Sequence, residues 1–455
     1  MGFVLSILYF LVYYLTPEVM FGSIAEYRLQ LILAIILIIV SIPAFTRSNV
    51  FKTAQAPALA GLAFAVFMSM LIGASWAGGG VTAFLLFIPN AFAYFMVYVH
   101  CNSKLKLQLL VLLLLFVCFF VIGQGAMELR QGLPMGDAGR NANLENSYFL
   151  GMDDSHGEWF YRLRGKGQID DPNDFAQVVV CVLPLVFFFW KPKRSVRNFF
   201  FVLVPIGVLI WGLYLTHSRG AILGILGILI VALRRKIGTI PSLILAGVLF
   251  IGVSATNFAG GRDISASSGQ DRTELWGDGL QLLKAHPLFG VGFGNMSDYV
   301  GKTAHNSVVV CAAELGLCGL FFWSMFLLPT LKDAASIGLS KNPAERPVLA
   351  SADISYPLGP PRPNIPDEAE IVRFARLLIL SFTGFLVTGW FLSRAFVLTL
   401  FLLGGITEVV FEMARQRGMV ASRLPFGRVL KYSGWMMAGL VLLMWILLRV
   451  VNLTH

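Results

Sequence analysis

The sequence predicts an all-α polytopic membrane protein, and three observations carry that prediction. Charged residues make up 13% of the 455-residue chain and hydrophobic ones 57%, at a mean hydropathy of +0.75, whereas a soluble domain carries about 25% charged residues. Apolar runs close to the ~20 residues needed to cross a bilayer recur along the whole length, as in QLILAIILIIVSIPAF and LQLLVLLLLFVCFFVIG. Basic clusters fall in alternate connections between those runs. No water-soluble domain of ordinary size fits between them.

Taken in order, thirteen spans are predicted, at about 3–18, 29–46, 55–73, 80–99, 105–123, 175–190, 198–216, 219–233, 241–256, 306–330, 374–392, 396–413 and 434–452. The N-terminal MGFVLSILYFLVYYL has no basic leader and no small-residue cleavage site, so it reads as a retained first span rather than a signal peptide. The basic clusters are Arg47 with Lys52, Lys104 with Lys106, KPKRSVR at 191–197, RRK at 234–236 and RQRGMVASRLPFGRVLK at 415–431. By the positive-inside rule those connections are cytoplasmic and the N-terminus is inside. The net charge of +10 is thus a topology signal, with the bilayer as partner and no nucleic acid. The five cysteines are odd in number and scattered among apolar runs, which suggests neither a disulfide framework nor a metal site.

The same alternation puts two long loops outside, and it divides the chain in five. Residues 1–124 are N-terminal membrane helices and 125–174 the first outer loop. A core region, 175–330, includes the second outer loop at 257–305; a cytoplasmic loop at 331–373 and C-terminal membrane helices at 374–455 follow. Long connections of this kind usually carry function. SADISYPLGPPRPNIPDEAE, within the cytoplasmic loop, reads as a flexible connector.

The polar residues of the outer side are the candidates for chemistry. Arg219, in LTHSRGAILG, lies where the topology rule gives no reason for an arginine. Alone it reads equally as a residue snorkelling to lipid phosphates, and neighbouring His217 as a polar filler of the turn. RTELWGDGLQLLKAHP spaces Leu275, Leu280 and Leu283 as an amphipathic helix lying on the membrane, with Arg272 near its start and Lys284 and His286 as further polar candidates. GVGFGN at 290–295 lacks the strand and βαβ unit of a dinucleotide fingerprint and reads instead as a turn returning the loop to the membrane.

AHNS then opens the tenth span and sets His305 at a helix N-terminus, where the dipole favours anions and disfavours a protonated imidazole. A neutral histidine beside an anion site suits a general base; the alternative is a capping Asn306 or Ser307 with a bystander histidine. Glu314, nine residues further on, falls about 13 Å deeper at the 1.5 Å helical rise, as a buried structural or proton-linked group. The first outer loop adds Arg162, Arg164 and Lys166, and its DPND offers Asp171 or Asn173 as a helix cap. Asp170, Asp171 and Asp174 read as capping residues or, more weakly, as a divalent-ion turn. If the arginines converge, their planar forks suit a pyrophosphate, and no metal or cofactor is called for.

Several of these segments resemble one known family. SRGA at 218–221, Arg272 with Trp276, HPLFGVGFGN at 286–295 and AHNSVVVCAAELGLCGL at 304–320 look like the shared domain of bacterial O-antigen ligases and polymerases. RLRGKGQIDDPNDFA at 162–176 looks like the segment before it, so the likeness covers roughly 160–330. The resemblance implies a GT-C-like glycosyltransferase of the bacterial inner membrane, without a nucleotide-sugar domain and with its active site facing the periplasm. Its donor would be a glycan on undecaprenyl pyrophosphate and its acceptor lipid A-core. Arg219 and Arg272 would hold the diphosphate, joined by Arg162 or Arg164, and His305 would deprotonate the attacking hydroxyl, inverting the anomeric carbon. His217 has no role in the motif. A polymerase, which extends another lipid-linked repeat, and a protein-glycosylating ligase share these motifs. A lipid-linked oligosaccharide transporter would instead show repeats, broken helices and midplane ionisable groups, whereas here Glu314 is the main polar group away from the outer boundary.

Overall fold

The computed structural model describes residues 1–20, 22–131, 148–152, 159–255, 266–339, 362–420 and 423–453. Parts of the long loops at 125–174 and 257–305 and most of the proline-rich connector at 351–370 lie outside the described residues. Every predicted span holds a helix: α1 (Gly2–Leu15), α2 (Leu29–Arg47), α3 (Gln55–Gly73), α4 (Ala77–His100), α5 (Lys104–Gln131), α6 (Pro172–Phe189), α7 (Ser195–Thr216), α8 (Arg219–Ile237) and α9 (Thr239–Ala255), then, after the loop helix α10 (Ala266–Ala285), α11 (Ser307–Gly338), α12 (Glu368–Gly389), α13 (Leu398–Gln416) and α14 (Phe426–Leu453). The chain is an all-α polytopic membrane protein. Among the described residues nine helices are long and apolar enough by themselves to cross a membrane. Of the other predicted spans, α1 and α9 are shorter, while α8 and α13 are diluted by charge, at Arg219 and Arg234–Lys236 in one and Glu408, Glu412 and Arg415 in the other.

One departure from helix lies in the long loop at 125–174. Strands β1 (Tyr148–Met152) and β2 (Trp159–Leu163) pair antiparallel with Phe149 opposite Arg162. The aromatic residues in YFLGM and WFYRL favour strands, a local signal that the description of this segment as a plain connection passes over.

The chain divides into two units. Unit 1 comprises Met1–Pro43, His100–Asp263 and Leu377–Thr388. Within it α6, α7 and α8 pack together, with Phe175, Val179, Val180, Cys181 and Val182 of α6 fully buried. Gln177, also buried, donates from Nε2 to Thr388 Oγ1 at 3.0 Å, which gives this amide a partner inside an apolar layer.

Unit 2 comprises Ala44–Val99, Ile264–Arg376 and Gly389–His455. Helix α11 is its axis and packs on α3, α10, α13 and α14. The helix is broken inside at Gly316, whose φ of 66° and ψ of −164° no helix contains. The segment 286–295 fills the break. Val291 and Gly292 donate their N–H groups to the carbonyls of Ala313 and Glu314 at 2.9 and 3.1 Å, while the carbonyls of Pro287 and Leu288 accept from Leu317 and Cys318 at 2.8 and 3.1 Å. The backbone groups orphaned by the break are thus satisfied by a loop folded against it, as non-helical backbone within a membrane protein must be. Gly290, also left-handed at φ 66°, permits this approach, since a Cβ there would lie 2.4 Å from the Ala313 carbonyl oxygen. The turn expected at 290–295 is therefore present, docked on α11.

Buried charge in this unit corrects a second expectation, that Glu314 is the main ionisable group away from the outer boundary. Asp333, Glu408, Glu412, Arg415 and Arg423 are all buried. Arg415 pairs with Glu412 at 3.2 Å, and Arg423 reaches both Glu408 and, at 3.5 Å, Glu412. Opposite charges inside α13 and beyond its end neutralise one another, which is how such groups are tolerated away from water. Broken helix and buried charges are both features expected of a transporter, yet here the break is sealed by the protein's own backbone and the charges are paired.

Candidate active site

In unit 1 the candidate residues gather around the turn between α7 and α8. Helix α7 ends at Thr216, His217 adopts the left-handed conformation at φ 47°, and Ser218 is extended, so that Arg219 occupies the first helical position of α8. A connection this short fixes Arg219 tightly in space. Ser218 stands at the N-cap position, but its hydroxyl bonds elsewhere: Oγ donates to Asn173 Oδ1 at 2.9 Å. The same oxygen accepts from Arg162 Nη2 at 3.0 Å, and Arg162 Nε donates to the Thr216 carbonyl at 3.0 Å. Arg162 is only 5% exposed and braces the turn that carries Arg219.

The choice between cap candidates in DPND falls to Asp171. Its Oδ1 accepts from the N–H groups of Asn173 and Asp174 at 2.7 and 3.4 Å, with Pro172 in the first turn, where proline is preferred. Asn173 is thereby held for Arg162 and Ser218. Arg164 is half-buried, donates from Nη1 to the Asp170 carbonyl at 3.2 Å, and has its pKa lowered by burial, against the opposing charges of Asp170, Asp171 and Glu128. His217 packs its ring 5.4 Å from that of Tyr214.

In unit 2 the candidates gather at the start of α11. Asn306 is the N-cap: its Oδ1 accepts from Val308 and Val309 N–H at 2.9 and 3.2 Å. His305, just outside the helix, is exposed and left-handed at φ 48°. Its N–H donates to Ser393 Oγ at 3.0 Å. The amphipathic helix foreseen around Arg272 is α10, which begins at Ala266 and so places Arg272 well inside rather than near the start. Leu275, Trp276 and Leu283 are buried, and Trp276 Nε1 donates to the Ala304 carbonyl at 2.9 Å. Arg272, one turn before Trp276 and on the same face, sets its guanidinium 5.9 Å from the centre of the Phe391 ring. Arg272 and His305 therefore belong to one assembly. Lys284 is exposed, twelve residues along α10 from Arg272 and about 18 Å away at the helical rise. Glu314 is buried and its carboxylate accepts from the backbone N–H groups of Gly294 and Met296. It pins the loop in the break of α11.

The turn at 390–394, the first part of the connection 390–397 between α12 and α13, was not among the candidates. Ser307 Oγ donates to the Leu392 carbonyl at 2.7 Å and accepts from Arg394 N–H at 3.0 Å. Arg394 could have been found by the signal that singled out Arg219, an arginine in a short outer connection between two apolar runs.

These features define a multi-pass membrane protein that presents arginines and a histidine on short, tightly braced segments at helix ends. Residues 206–324 match the family model described as O-antigen ligase. The match includes His217, Arg219, Arg272, Lys284, His305, Asn306 and Glu314, whereas Arg162, Arg164 and 390–394 lie outside it. No curated protein matches the chain. The domain supports an enzymatic role of the O-antigen ligase and polymerase type.

Proposed function

We propose that the protein is an O-antigen ligase, transferring a glycan from undecaprenyl pyrophosphate to a sugar hydroxyl of lipid A-core at the periplasmic face of the inner membrane. The observation that carries this reading is the bonding of α10 to the residue before His305, through Trp276 and Ala304. It ties the helix that carries Arg272 to the segment that carries His305, an exposed residue at the N-terminus of a long helix.

In the proposed reaction neutral His305 takes the proton of the acceptor hydroxyl as its oxygen attacks the anomeric carbon of the donor glycan. The bond from that carbon to the diphosphate oxygen breaks, undecaprenyl pyrophosphate departs, and the configuration inverts. Arg272 and Arg219 bear on the diphosphate, where negative charge grows as the bond breaks. Removing one such donor typically costs about 3 to 4 kcal/mol of transition-state stabilisation. Arg162 acts through the turn it braces, and Arg164 is the further cation of that segment.

The test is glycan transfer by the purified protein from an undecaprenyl-pyrophosphate-linked glycan to lipid A-core, with chelator present. His305→Ala and Arg219→Ala are each expected to lower the rate at least a hundredfold. Longer lipid-linked glycan with the core untouched assigns the protein to the polymerases, and full activity in both variants removes the proposed site.

A further inference from the structure

We propose that the turn at 390–394 is the positioning element of the active site, with Ser393 the residue that sets the backbone of His305; this rests on reading His305 as the base. His305 is a non-glycine residue held at φ 48°, a conformation that persists only where the surroundings impose it. Its N–H donates to Ser393 Oγ at 3.0 Å. On either side of that bond the turn is clamped to the same assembly. Ser307, two residues beyond His305, bonds the Leu392 carbonyl at 2.7 Å and the Arg394 N–H at 3.0 Å. Trp390 meets Trp276 edge-on at 6.2 Å, and Phe391 lies under the Arg272 guanidinium. One five-residue turn thus touches the helix that carries the cation, the residue that carries the imidazole and the first turn of α11. It does so from outside the segment 206–324 that matches the O-antigen ligase family.

The two serines divide the work. Ser307 ties helix to turn and would be needed for packing alone, whereas the hydroxyl of Ser393 meets the backbone of His305 itself. Ser393 is accordingly a positioning residue, and its loss should misplace the imidazole while leaving the donor's cations in place.

The experiment compares full-length wild type, Ser393→Ala and Ser393→Thr in two readouts. One is kcat and KM for the lipid-linked donor. The other, independent of transfer, is the rate at which diethyl pyrocarbonate modifies His305, followed by mass spectrometry. Alanine should lower kcat about tenfold, the scale of one lost hydrogen bond, with KM within twofold of wild type and a severalfold change in labelling rate. Threonine, which keeps the hydroxyl, should restore both. Wild-type kcat and labelling in Ser393→Ala would overturn the proposal, as would a kcat loss accompanied by unchanged labelling. Should wild type transfer no glycan, the functional reading falls, and the labelling rates alone decide the role of Ser393.

Discussion

Replacing Gly316 by alanine should open the junction between α11 and the loop folded into it. At φ 66° and ψ −164° the residue occupies a region open essentially to glycine alone, where a side chain costs about 1 to 3 kcal/mol. The added Cβ would lie 2.5 Å from the Leu288 carbonyl carbon and oxygen and 2.6 Å from Phe289 N. These are backbone atoms, which cannot swing aside as a side-chain tip can, so the segment must retreat. Its retreat gives up the bonds of Val291, Gly292, Leu317 and Cys318, each worth about 1 kcal/mol net and more where the freed group stays dry. The combined penalty is about 5 kcal/mol, and at 1.4 kcal/mol per tenfold the junction should open about four thousand times more often. Hydrogen exchange followed by mass spectrometry on peptides spanning 286–295 and 313–320 reads this directly. Gly247→Ala is the control, because no atom lies within 4 Å of a Cβ at that position in α9. Wild-type protection of those four amides in Gly316→Ala would refute the reasoning, since the junction would then tolerate a group for which its backbone leaves no room.

Two further outcomes follow from the braces around the site. Trp276→Phe keeps an aromatic ring but removes the donor to the buried Ala304 carbonyl; an acceptor left unsatisfied costs about 1 to 3 kcal/mol. Exchange at His305 and Asn306 should quicken and transfer should slow about tenfold, and unchanged values of both would show that α10 does not hold this segment. Asp171→Ala removes the cap of α6 at a cost of about 1 kcal/mol, whereas Asp171→Asn keeps an accepting oxygen and should cost little. A fall of about 2 °C in thermal midpoint for alanine only is expected in detergent, and equal midpoints for the two variants would remove the cap from the account.

The buried charges of α13 and Arg423 show why composition understates what a membrane protein can hold. Glu408 and Glu412 stand one turn apart on a single helix face, where alone they would repel. Arg415 from the same helix and Arg423 from beyond its end meet them. In the sequence Arg415 and Arg423 fall within a basic cluster that the topology rule assigns wholesale to the cytoplasmic side. The rule has no means of separating an arginine that marks topology from one that neutralises a buried carboxylate.

What the sequence by itself determined are the features decided within a turn or two of chain: the thirteen helices, the amphipathic α10 and the presence of a helix cap within DPND and at the start of the tenth span, each narrowed to two residues. Hydrophobic periodicity and cap chemistry depend on near neighbours, so they can be read in one dimension. The likeness to O-antigen ligases is legible for a related reason, because its motifs are contiguous and fall largely within the matched segment 206–324. Only the tertiary structure decided the rest. It bound Asn173 to Arg162 and Ser218, seated 286–295 in the break of α11, and bonded His305 to Ser393, 88 residues away. Those bonds join groups that every residue or every serine possesses, at separations no local pattern encodes, and folding alone selects which of them meet.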